Sequence, residues 1–229
     1  GFTGISGINL LNLADLGLNI TLEDNDLHRL DLITDLWKKL GRNFNPVYNP
    51  DFHELNYPDK SFDMSFSFSA LWFVPDLSHF LKELSRVTSQ VIFISIPNRN
   101  GLGFKMQIKD YTPERYPQIK LSYIDPPSII HILKKLDWYL VDSGYFDCPP
   151  WPDIGMTKEE LLKKWFPQLP ISKIFKEQPD KEFSSILDYY SGKDPDFAPR
   201  MRRYQWLEKT APDAFKKVWA HHYYMIFAP

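Results

Sequence analysis

The segment Gln90–Ile96, with Val91-Ile-Phe-Ile-Ser-Ile96 at its heart, constrains this chain more than any other. It carries no charge, is dominated by branched and aromatic side chains, and reads as the clearest strand in the sequence. An amphipathic helix is expected just before it, over Asp76–Val87, with Phe80, Leu81 and Leu84 turned inward. Another buried strand is expected before that helix, at Phe62–Phe68. Strand, helix and strand in that order build a parallel pair, because two parallel strands need a long crossover. The fold class is therefore α/β, a sheet covered on both faces by helices.

The same rhythm runs through the first third of the chain. Ile8 to Leu16 reads as a helix opening and Asn19–Glu23 as a short strand. Asp26 can cap a helix in which Leu27, Leu30, Ile33, Trp37 and Leu40 recur at helical spacing, and Gly41 stops it. A further short strand is expected near Pro46–Asn49, ahead of the polar loop 51–61. After Pro97 the pattern loosens into a polar, Pro- and Tyr-rich excursion over 98–123. A helix at Pro127–Leu136, a strand at Trp138–Phe146 and a closing strand at His221–Phe227 follow. Residues 149–220 hold helical patterns broken by Pro and Gly.

Composition narrows the function classes. The 229 residues include 27 Lys and Arg against 29 Asp and Glu, a net charge of −2. Gripping nucleic acid or an anionic membrane needs a surplus of positive charge, so this balance argues against both. The single cysteine, Cys148, excludes an internal disulfide and a cysteine-based zinc cage. No apolar run approaches the roughly 20 residues of a membrane span, and no basic-then-apolar leader opens the chain. These features read as a soluble cytoplasmic protein.

Open parallel sheets bind ligands at the carboxyl ends of their strands. The turn Gly4–Gly7 lets backbone approach a ligand and opens a helix suited to an anionic group. Glu23 ends the second strand, where a carboxylate can accept from both hydroxyls of a ribose. Asp51 follows the third, where it can accept from an adenine amino group. Each signal is weak alone, since such residues also serve turns and caps. Their order favours an adenine nucleoside.

The resemblance to a known family lies in the next segment. Asp51-Phe-His-Glu-Leu-Asn-Tyr-Pro-Asp-Lys-Ser-Phe-Asp63 is similar to the acid-x-x-x-L-x-[FY]-x-[DE]-x-[ST]-F-D segment of the class I S-adenosylmethionine-dependent methyltransferases. The likeness continues through Phe62–Asp76, the helix Phe80–Val87 and the strand exit Ile96-Pro-Asn98. It implies a Rossmann-like, seven-stranded sheet of order 3-2-1-4-5-7-6 with an antiparallel last strand, which His221–Phe227 fits. It implies S-adenosyl-L-methionine as cofactor, with Gly4, Ser6 and Gly7 against its methionine part. Glu23, neighboured by Asp24, would hold the ribose, Asp51 and Phe52 the adenine, and Ser69, Ala70 and Leu71 the far side. The implied reaction is direct methyl transfer from a sulfonium to a small-molecule acceptor.

The resemblance also has departures. The acid-x-G-x-G-x-G loop aligns with Gly1-Phe-Thr-Gly-Ile-Ser-Gly7, so the acidic position falls on Gly1 and two glycine positions on Thr3 and Ile5. The first strand should precede Gly1, so the sequence is expected to begin late in the domain. The expected organisation is a core over 1–148 and 221–229 with a helical cap over 149–220. That cap carries Trp151, Trp165, Phe166, Tyr189, Tyr190, Tyr204 and Trp206 near Arg200, Arg202 and Arg203. An aromatic pocket with a cationic edge would suit a planar or apolar substrate bearing an acid group, although packing is the simpler use of these rings. His221 and His222, neighbours on a strand, should point to opposite faces and not chelate one ion. No catalytic residue and no metal site stand out. Two alternatives remain: a methyltransferase-like subunit that binds a protein partner without catalysis, and an NAD-dependent dehydrogenase, which the Asp51–Asp76 segment argues against.

Overall fold

The computed structural model describes residues 7–149, 162, 163, 168 and 186–229. Strands β1 (Thr21–Asp24) and β2 (Asn45–Tyr48) pair in parallel as one small sheet. The remaining strands are β3 (Phe62–Phe68), β4 (Thr88–Pro97), β5 (Tyr139–Phe146) and β6 (His222–Ala228). They form a second sheet in the order β3-β4-β6-β5. β3 runs parallel to β4, while β6 lies antiparallel to both of its neighbours.

Local chemistry sets the helices. Helix α1 (Leu11–Asp15) continues a short 3-10 turn at Ile8–Leu10. Helix α2 (Leu27–Lys39) begins where the Asp26 carboxylate accepts from the Arg29 N–H at 3.1 Å. It ends on Gly41, whose φ is +66°. There the N–H groups of Gly41 and Arg42 return to the carbonyls of Lys38 and Trp37, a Schellman closure. Its buried stripe is Leu30, Ile33, Leu36 and Trp37. Leu27 shares the spacing but stays 57% exposed at the first turn. Periodicity tells which face is apolar, not how far along the helix its partner surface reaches. Helix α3 (Leu77–Val87) is capped by Asp76, and α5 (Pro126–Lys134) by Asp125. The excursion after β4 contains α4 (Leu102–Gln107). Further short helices occupy Ile186–Tyr190, Phe197–Arg202, Gln205–Thr210 and Asp213–Trp219.

The two faces of the larger sheet differ. Ile92, Ile94, Ile96, Met225 and Phe227 alternate onto one face and are buried against Phe80, Leu81 and Leu84 of α3 and Ile129 and Leu133 of α5. The opposite face is an aromatic strip. Phe66 stacks on Phe93 at 4.8 Å, Phe93 on Tyr224 at 6.1 Å, and Phe146 meets Tyr224 edge-on at 5.9 Å. Phe66 also packs on a smaller core of Ile8, Leu10, Leu11, Leu22, Ile33 and Trp37. That contact joins the N-terminal elements to the larger sheet.

One arginine ties the loop before β3 to α3. The Arg86 guanidinium donates to the carbonyls of Tyr57 and Leu55, to Asp59 and to Glu83, at 2.7–2.9 Å. Glu83 in turn accepts from the Leu55 N–H at 3.2 Å. The hydrogen bonds from Arg86, helped by that from Leu55, outweigh burial and lower the Glu83 carboxyl to about 2.

Two stability outcomes follow. Leu81 is fully buried between α3 and the sheet, so Leu81→Ala should cost about 2–5 kcal/mol in urea unfolding. A carboxylate held below its ordinary pKa stabilises the fold above that value, and the contribution fades as pH falls through the lowered one. Wild-type stability should therefore drop between about pH 5 and pH 2. Glu83→Gln should lower stability at neutral pH and flatten that acid branch. An acid branch unchanged in Glu83→Gln would refute this role for the Arg86 clamp.

Candidate cofactor site

The carboxyl ends of β1, β2 and β3 gather most of the residues singled out by the sequence. Gly7 has a φ of +76° and leads into the turn that opens α1. A Cβ there would stand 2.7 Å from Leu22 Cδ2, so the glycine both turns the chain and lets it lie against β1. Gly4 and Ser6 lie outside the described residues.

Glu23 comes next on β1, half buried. Burial raises its carboxyl above the ordinary range, and the Tyr57 phenol and Asn49 amide beside it pull the other way. Asp24 is differently used. Its carboxylate is buried, pairs with Arg29 at 2.6 Å and accepts from the Asp26 N–H at 2.9 Å. It holds the turn into α2 and presents no free oxygen edge comparable to that of Glu23.

Asn49 organises the loop after β2, and the sequence reading missed it. Its side chain donates to Glu23 at 3.3 Å and to the Glu54 carbonyl at 2.9 Å, and accepts from the Phe52 N–H at 3.0 Å. Its own N–H donates to the Asp24 carbonyl at 3.0 Å. The result is a loop in which Phe52 takes a φ of +54° with its ring edge-on to Phe80, 6.4 Å away. Asp51 is exposed and accepts from the His53 N–H at 2.9 Å. The one available signal was the Asn49-Pro50-Asp51 turn composition. Which side chain reaches back to Glu23 is not coded locally.

At the β3 exit Ser69 adopts a φ of +49° and is 2% exposed. Its N–H donates to the Ser95 carbonyl at 2.8 Å, and its carbonyl accepts from the Trp72 indole at 2.9 Å. Its Oγ is buried with no hydrogen-bond partner among the described residues. A buried orphan hydroxyl at a strand exit is a group that a bound ligand would satisfy. Ala70 opens a 3-10 turn, whereas the Leu71 side chain is fully buried in the main core. Any part Leu71 plays at this edge therefore falls to its backbone.

A second cluster stands at the exits of β4 and β5. His221 and His222 do not diverge as strand neighbours should, because β6 begins only at His222. Both Nδ1 atoms come to Asp147 Oδ2, at 3.4 and 3.1 Å. Among the described residues no group of three metal-binding side chains occurs. Cys148, next to Asp147, is buried with Leu207 and Ala220, and burial, with the Glu208 carboxylate adding to it, pushes its thiol up to about 11. It packs and does not attack. His53 is exposed and stacks on His79 at 4.3 Å.

Among the described residues of the tail, the aromatic rings do not gather into one pocket. Trp206 is 59% exposed and Tyr204 is exposed too, while Tyr189 and Tyr190 meet each other at 5.2 Å. Arg200 is paired with Asp194. Trp151, Trp165 and Phe166 fall outside the described residues. No helix among the described residues is long and apolar enough to cross a membrane.

Gly7, Glu23, Phe52 and Ser69 are thus, in turn, a close-approach glycine, a half-buried carboxylate, an aromatic ring in a tied-down loop and an orphan hydroxyl. Comparison with known proteins bears on the same region. Residues 3–91 match the family model described as a methyltransferase domain. No curated protein sequence matches the chain. Among solved structures, it is similar to a SAM-dependent methyltransferase from Archaeoglobus fulgidus at 16% identity and TM-score 0.53, over 99% of this chain and 83% of that one. A candidate sarcosine dimethylglycine methyltransferase from Galdieria sulphuraria shares 16% identity at TM-score 0.53, over 98% and 75%. A chain from the Haloferax volcanii complex of a methyltransferase activator with a candidate methyltransferase shares 13% identity at TM-score 0.50, over 97% and 77%. At such identities the structural likeness speaks for the fold. Residues 3–91 thus carry the likeness to a methyltransferase domain, and the α/β fold of the described residues is of the kind those solved structures share.

Proposed function

We propose that this enzyme transfers the methyl group of S-adenosylmethionine to a small-molecule acceptor, with the cofactor held across the exits of β1, β2 and β3. The observation that carries the reading is the position of Glu23. It is a half-buried carboxylate at a strand exit, steadied by Asn49, on the strand whose Leu22 the turn at Gly7 packs against. Glu23 accepts from the ribose hydroxyls, with Asp24 fixing the neighbouring turn through Arg29. Asp51 and Phe52 meet the adenine. Gly4, Ser6 and Gly7 are assigned to the methionine part, and Ser69, Ala70 and Leu71 bound the far side. A bound sulfonium supplies an already activated methyl group, so alignment and exclusion of water are the main demands on the protein. Glu23 also places a negative charge near a cationic ligand.

The organisation that suits this reading is a core over 1–148 and 221–229 with a cap over 149–220. A strand between β1 and β3 would join the two sheets as β2, β1, the added strand, β3, β4, β6 and β5, the order that the family writes 3-2-1-4-5-7-6. The near-neutral charge supports a small acceptor over nucleic acid, and a lone buried thiol suits the reducing cytoplasm. A second reading is a cofactor-poor subunit that works by binding a protein partner. Thr3 and Ile5 in the glycine loop favour it, as does the activator complex among the similar structures.

Calorimetric titration of S-adenosylhomocysteine separates the two. The folded protein should bind it, and Glu23→Ala should weaken binding by about tenfold or more, the worth of a charge-assisted hydrogen-bond pair. Absence of binding by folded wild-type protein would overturn the enzyme reading in favour of the partner-binding one.

A further inference from the structure

The Asp147–His222 pair has a geometry that cofactor binding does not explain. His222 faces Pro97 across one ladder and Phe146 across the other, so it stands at the exits of β4 and β5. Its ring lies 4.8 Å from that of Phe68, the residue just before Ser69, and 5.5 Å from that of Phe146. It is therefore on the edge of the sheet where ligands of this architecture sit. Beside it opens a cleft of about 470 Å³, lined by the rings of Phe66, Phe68, Phe93 and Phe146 together with Asp147 and Glu208.

Three strand ends are knotted here. Asn98, buried at the β4 exit, donates its N–H to the His221 carbonyl at 2.8 Å and its amide to the carbonyls of Ala220 and Lys217 at 2.8 and 2.9 Å. The His221 N–H donates to the Asp147 carbonyl at 3.0 Å. Asp147 itself takes a φ of +64°, a conformation that costs a residue with a Cβ and persists only where the surroundings enforce it. The strained backbone aims the carboxylate at the imidazole. Asp147 Oδ2 engages His222 Nδ1 at 3.1 Å, which favours the tautomer with the proton on Nδ1 and leaves Nε2 as an acceptor. The ring makes no other hydrogen bond among the described residues.

We propose that His222 is the acid–base residue of the methyl transfer, positioned by Asp147, for an apolar or aromatic acceptor that gives up a proton from oxygen or nitrogen. The inference rests on the methyl-transfer reading above. The acceptor's O–H or N–H proton passes to His222 Nε2 as the freed lone pair bonds to the methyl carbon. The S–CH₃ bond breaks with its electron pair left on sulfur, which becomes a neutral thioether. The imidazolium then formed is stabilised by the Asp147 carboxylate, and solvent takes the proton away. Asp147 and His221 face the ring at close range. Glu208 stands on the wall of the cleft, and Tyr224 on the same strand face is tied to Asp142 at 3.0 Å. The four rings give an acceptor an apolar bed that keeps bulk water from competing for Nε2.

The test is made on the full chain labelled with ¹⁵N histidine. Long-range ¹H–¹⁵N spectra should show neutral His222 protonated on Nδ1 and bare on Nε2. Asp147→Ala should shift the ring toward the Nε2–H tautomer, whereas His221→Gln should leave it unchanged. Carbethoxylation mapped by mass spectrometry should find His222 Nε2 reactive and several-fold slower once S-adenosylhomocysteine saturates the protein, with exposed His53 as the unaffected control. A purely structural histidine would show no such protection. An Nε2–H tautomer in the wild type, or S-adenosylhomocysteine binding without protection of His222, overturns the proposal alone. Failure of S-adenosylhomocysteine to bind at all overturns the methyl-transfer reading and this proposal with it. If Asp147→Ala does not fold, the wild-type tautomer and the protection experiment decide by themselves.

Discussion

The parallel register of β3 on β4 governs where chemistry can sit in this molecule. Phe68 pairs with Ser95 and Ser67 with Ile94, so both strands run out at the same edge. The Ser69 N–H makes one last hydrogen bond to the Ser95 carbonyl before the chain leaves the sheet. From that edge the Phe68 ring reaches His222, and the chain turns away through the left-handed Ser69. Slipping the register by one residue would turn Ile92, Ile94 and Ile96 onto the aromatic face and Phe93 into the core. The packing on α3 and α5 therefore protects the site, because it penalises every alternative alignment.

Polar side chains hold the loops that the sheet cannot reach. Asn49, Arg86 and Asn98 each satisfy several backbone groups of an irregular segment, and Asn49 and Asn98 are buried while doing so. A buried amide without partners would be costly, whereas one that closes a loop on both of its sides restricts that loop to a single shape. Asn49 fixes the approach to Glu23, Arg86 the segment before β3, and Asn98 the meeting of three strand ends. The candidate site is thus carried by rigid strands and by loops that are themselves tied down, which is what precise alignment of a reacting group requires.

Much of this was legible in the residues. The strand at Phe62–Phe68 and the helix ending at Val87 emerged from their apolar periodicity, and Asp26 was legible as the cap of α2. Gly41 announced the end of α2. Glu23 and Asp51 stood out as candidates because strand exits in a parallel sheet share one edge, and Gly7 because a glycine there permits a tight turn. Less legible were the partners. Asp24 looks like Glu23 in sequence, yet Arg29 takes its carboxylate. Leu71 looks like a cofactor contact beside Ser69, yet its side chain fills the core. His221 and His222 suggest opposite faces, yet the strand begins one residue later than the alternation assumed and both converge on Asp147.

By itself, then, the sequence determined the α/β class and most of the strands and helices. These follow from periodicity, capping and turn chemistry, which act over a few neighbouring residues. The tertiary structure decided which carboxylates are spent on arginines, which asparagines close the loops, and that His222, with His221 beside it, meets an aspartate 75 residues away. Those outcomes depend on distances between segments remote along the chain. Such distances arise only when the sheet register and the packing of helices on its faces bring strand ends together.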